Sequence, residues 1–69
     1  SAEDLAAQPS DWLAELRAAT TKADMNRMLS LVEQIRELDA ALADALEDLI
    51  RDFAYKRLLT LIEEAGGMM

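Results

Sequence analysis

Imidazole and thiol are the side chains that most often carry nucleophilic catalysis and zinc binding, and this sequence contains no histidine and no cysteine. Nucleophile and base pairs built on them, and the usual zinc constellations, are thereby excluded. No Gly-rich loop is present to cradle phosphate. A chain of 69 residues also leaves little interior for a pocket once its core is filled. The expectation is a domain with no catalytic residue, no cofactor and no metal. Carboxylates are what remain. Asp44, Glu47, Asp48 and Asp52 recur at helical spacing and make one acidic stripe, opposite Leu42, Leu46 and Leu49. The stripe reads either as a solvated outer face, with Glu47 and Arg51 as an i,i+4 pair, or as a docking face for a basic partner. A calcium site is disfavoured, because it needs ligands on a curved loop and not on a straight helix.

Trp12 and Tyr55 have the polar handles of interface anchors, but each falls on an apolar stripe and is expected to pack inside. Met25 and Met28 also lie on a buried stripe, while Met68 and Met69 form a tail, so no methionine-lined groove is indicated. Leu29-Ser30-Leu31-Val32-Glu33 resembles the serine motif of acyl carrier proteins. Leu29 stands where that family has Asp, and two residues before Val-Glu are missing, so Ser30 is not a phosphopantetheine site.

Net charge is −7, which argues against nucleic acid and against an anionic membrane surface, both of which demand clustered Lys and Arg. The segment from Asp39 to Asp52 holds five acids against one base. The longest apolar runs fall far short of the roughly 20 residues of a membrane span. With 52% hydrophobic residues, mostly Leu, Ala, Ile and Met, one Pro and two Gly, the composition favours helices and a packed core.

Residues 1–9, ending at Pro9, read as a linker or frayed segment, residues 10–66 as the bundle, and 67–69 as a tail. Ser10 is expected to cap a first helix over about 10–20, with Trp12, Leu13, Leu16 and Ala19 on its buried side. At 100° per residue the next stripe, Met25, Met28, Leu29, Val32 and Ile35, points about 150° away. A break must therefore fall between Thr20 and Asp24, and a second helix covers about 24–38. The third set, Leu42, Leu46, Leu49, Ile50 and Phe53, differs in phase from the second by only about 35°. A turn at Leu38–Ala40 rests on Asp39 as a cap, followed by a helix over 40–53. The phase then jumps by nearly 180° to Tyr55, Leu58, Leu59 and Ile62, which puts a corner at Phe53 and Ala54. A last helix over 55–65 is closed by Gly66 and Gly67. The expected fold is all-α, a compact antiparallel four-helix bundle. Its core is Trp12, Leu16, Met28, Val32, Ile35, Leu42, Leu46, Leu49, Phe53, Leu58, Leu59 and Ile62.

Four stretches now stand in order: Leu5 to Pro9, "DWLAELRAAT" from Asp11, "KADMNRMLSLVEQIRELDAALADAL" from Lys22, and "IRDFAYKRLLTLIEEA" from Ile50. Together they resemble the C-terminal helical segment of bacterial hybrid sensor histidine kinases, downstream of the receiver domain. The resemblance runs from Leu5 to Ala65, with Ala23 where Gly is usual and Ala40 where Pro is common. It implies a cytoplasmic appendage of a phosphorelay protein with a receiver, kinase or downstream regulator as protein partner, and it implies no activity. A histidine phosphotransfer domain is excluded by the absent histidine, save as a degenerate form that only docks. Two other readings of the residues stay open: a docking module of a multienzyme system, and a homo-oligomerisation bundle in which the second and third helices join across a dimer. The oligomeric state is not legible.

Overall fold

A computed structural model describes residues 2–67. Among them it is all-helical, with five helices instead of four: α1 Ala2–Ala6, α2 Ser10–Thr21, α3 Met25–Ile35, α4 Ala40–Arg51 and α5 Tyr55–Gly67. The four longer helices form a ring in which each packs on the next and α5 closes back on α2, while α1 lies on α5. The radius of gyration, 10.4 Å, is close to the about 11 Å of a fully compacted chain of this length.

The extra helix corrects the expectation of a linker or frayed segment over residues 1–9. Ala2 and Leu5, three residues apart and so on one face, are buried, Leu5 almost completely. A five-residue helix with a single large apolar side chain shows no period to detect, yet tertiary contact with α5 holds it.

Pro9 and not Ser10 is the N-cap of α2, and no side chain caps it. Ser10 is the first helical residue, and the Pro9 carbonyl accepts from the Leu13 amide at 3.1 Å. Asp24 and Asp39 do act as caps. Asp24 accepts from the Arg27 amide at 3.1 Å and Asp39 from the Leu42 amide at 3.0 Å, which satisfies amides that have no partner within the helix.

Two of the three corners that join α2 to α5 share one device. Ala23 has φ 55° and Phe53 has φ 58°, the left-handed region. At the first, the Ala23 amide donates to the Thr20 carbonyl at 3.0 Å and the Asp24 amide to Ala19 at 2.9 Å. At the second, Phe53 donates to Ile50 at 3.0 Å and Ala54 to Leu49 at 2.9 Å. This pair of bonds, the outer spanning five residues and the inner three, is the Schellman ending, which normally takes glycine. The left-handed conformation costs an L-residue roughly 1–2 kcal/mol. The third corner is built differently. Helix α3 stops at Ile35, short of the expected residue 38, because the chain tightens there: Leu38 and Asp39 both donate to the Ile35 carbonyl at 2.9 Å.

The core contains Trp12, Leu16, Met28, Val32, Ile35, Leu42, Leu46, Leu58 and Ile62, together with Leu5, Leu13, Leu31, Ile50 and the alanines Ala19, Ala43 and Ala65. Leu49 is partly buried and packs on this cluster. Leu59 is half-buried, and Leu61 is the neighbour that packs inward. Phe53 is the clear departure, being 69% exposed. The left-handed turn that reverses the chain at this residue swings its side chain off the α4 stripe. Helix α5 runs through Gly66 and Gly67, past the expected end at residue 65. Met68 and Met69 lie outside the described residues.

Candidate interaction surface

The buried polar groups are consumed within the fold. Trp12 Nε1 donates to the Leu31 carbonyl at 2.8 Å, tying α2 to α3. Thr20 Oγ1 bonds the Leu16 carbonyl at 2.7 Å and lies 3.4 Å from Met28 Sδ. No buried side-chain nitrogen or oxygen among the described residues lacks a partner. Two surface depressions of about 170 and 200 Å³ fall below the roughly 300 Å³ at which ligand pockets begin.

The acidic stripe divides in two. Arg36, in the α3–α4 connection, donates from Nε to Glu33 at 3.0 Å, from Nη1 to Asp44, and from Nη2 to Glu47 at 2.8 Å. One guanidinium thus uses its planar fork to hold carboxylates from two helices. Its pKa is raised, first by the bond to Asp44 and then by that to Glu33. Glu47 also accepts from Arg51 Nε at 2.9 Å, the expected i,i+4 pair. Asp44 and Glu47 are thereby occupied. Asp48 and Asp52 are exposed and take part in no ion pair among the described residues. The structure does not bring the four acids into one site, and no group of three or more Asp, Glu, His or Cys that could hold a metal occurs among the described residues.

Of the aromatic anchors weighed from sequence, Trp12 is buried and Tyr55 is half-buried against the core. Phe53 is the aromatic that faces out. Its ring stands edge-on to Tyr55, with centroids 6.0 Å apart and planes at 75°, a favourable arrangement that props it in position. Sequence reasoning missed it by treating an apolar residue at helical spacing as core. The jump of phase located the corner but not its backbone state: a reversal without glycine can be made with an L-residue in the left-handed region, as here, or without one, as between α3 and α4, and only the former takes the residue off the stripe. The role of Arg36 was likewise missed, since its partners come from both sides of a turn.

No helix of the described residues is long and apolar enough to cross a membrane. No curated protein and no solved structure matches the chain. Residues 1–63 do match the family model described as the hybrid histidine kinase-response regulator, C-terminal domain, and the chain accordingly belongs to that family of two-component signalling domains.

Proposed function

We propose that the chain is a non-catalytic, cytoplasmic protein-interaction domain that docks on the receiver or kinase portion of a hybrid histidine kinase, or on a downstream regulator. Membership of the family carries this reading, because it supplies the signalling context. The consumed interior supports it: with core polar groups paired internally, surface contact is the means of action left to the fold. Asp48 and Asp52 are the members of the acidic stripe free to meet a basic partner, with Asp44 and Glu47 serving the fold through Arg36.

The test is calorimetric titration of the chain against a hybrid kinase-regulator from which this domain has been removed, and against its downstream regulator. Saturable binding that weakens with added salt and with Asp48→Asn, Asp52→Asn is expected. Absence of binding to both proteins would end the docking reading.

A further inference from the structure

We infer that the α4–α5 corner is a self-association surface whose occupant is the same corner of a second copy of this chain. At its centre is Phe53, 69% exposed and held outward by a left-handed backbone and by the edge of Tyr55. An exposed aromatic in a conformation that disfavours bulky side chains is a locally costly choice, and such choices gather at functional positions. The ring is also pre-positioned, which lowers the ordering cost of binding.

The charges around it select the partner. Asp48, in the last turn of α4, and Asp52, its C-cap, precede Phe53, and Lys56 and Arg57 follow it on the first turn of α5. All four are exposed, and none forms an ion pair among the described residues despite their nearness in the chain. Helix α5 has no acid in its first turn, so the two bases sit against the positive end of the helix dipole. The four charges cancel. The whole net charge of −7 is thus carried by the rest of the molecule, and at this corner two acidic copies meet over locally balanced charge. An exposed ring with two acids before it in the chain and two bases after it can be matched to a second copy by a two-fold axis: Phe53 then meets its counterpart, and the Asp pair of each copy faces the Lys–Arg pair of the other. A knob of this size buries less than the about 1,200 Å² of a standard stable interface, so the dimer is weak and rapidly exchanging.

Sedimentation equilibrium from micromolar to millimolar concentration tests this. The 7.7 kDa chain is expected to show a concentration-dependent rise toward twice that mass. Phe53→Gly should stay monomeric across the range without a lower unfolding midpoint, since glycine suits the left-handed corner. Asp48→Lys with Asp52→Lys, and separately Lys56→Glu with Arg57→Glu, should each weaken the dimer by about tenfold or more. The four together should restore it, because the surface is again complementary to itself. A monomer mass throughout for the unaltered chain would overturn the inference. So would a dimer that survives Phe53→Gly and is lost instead in Ala40→Pro, which would point to joining of α3 and α4 across copies. Asp48 and Asp52 serve both this dimer and the proposed docking, so the calorimetric titration is also run on Phe53→Gly, which removes the dimer and keeps both carboxylates, and the two readings fail separately.

Discussion

Ala23 and Phe53 occupy the same backbone state for different apparent ends. Ala23 is a methyl group in the left-handed region with nothing to gain from its side chain, so Ala23→Gly should stabilise the fold. The relief of strain, less the greater freedom of glycine in the unfolded chain, leaves about 0.5–1 kcal/mol, a rise of several degrees in the thermal midpoint at this size. Ala23→Val should move it the other way. Trp12 makes the opposite kind of contribution, through a buried bond to the Leu31 carbonyl as well as through its ring. Trp12→Phe keeps most of the apolar area but loses that bond, and should cost about 1–2 kcal/mol in urea denaturation. Both residues were partly legible: the core position of Trp12 follows from its stripe, and the break at Thr20–Asp24 from the change of phase. The left-handed state of Ala23 was not, because alanine is the strongest helix former and only the geometry of the reversal requires the unusual conformation.

At the scale of elements, two joints differ in what holds them. α1 is attached through apolar contact, and Leu5→Ala should cost about 2–3 kcal/mol, with protection from amide exchange lost first in residues 2–8 and then along the facing side of α5. The α3–α4 joint is ionic, since Arg36 reaches Glu33, Asp44 and Glu47 at once. Arg36→Gln should lower the thermal midpoint and shrink the difference between low and high salt, because these groups are solvent-accessible and screened. The pH response follows from the raised pKa of Arg36. For a cation the contribution is complete below the unfolded pKa and fades only as pH climbs through the folded one, so the guanidinium keeps its charge and its grip throughout the neutral and mildly alkaline range. The joint illustrates what the sequence could not convey. The phases of the α3 and α4 stripes nearly agree, so periodicity alone allows one long helix. The turn is decided by the Asp39 cap and by the Ile35 carbonyl taking two amides, both local geometric facts.

At the scale of the molecule, the ring of α2 to α5 was readable from four apolar stripes and the breaks between them, whereas the fifth helix was not, since one leucine makes no pattern. The acidic stripe was readable as composition but not as a division of labour, because Arg36 lies outside it in sequence and halves it in space. The packing of α1 on α5 has a consequence for chain connectivity. Ser10, at the start of α2, and Gly66, near the end of α5, line one shallow groove, so the two ends of the ring of α2 to α5 are neighbours, and the covalent order of the helices is less binding than their spatial order. A circularly permuted chain, with residue 67 joined to residue 2 through a short Gly-Ser linker and new termini opened between Glu37 and Leu38, should fold to the same helical content by circular dichroism and melt cooperatively within a few degrees of the parent. Loss of cooperative melting in that chain would mean that the α3–α4 turn is needed to assemble the ring and not only to close it.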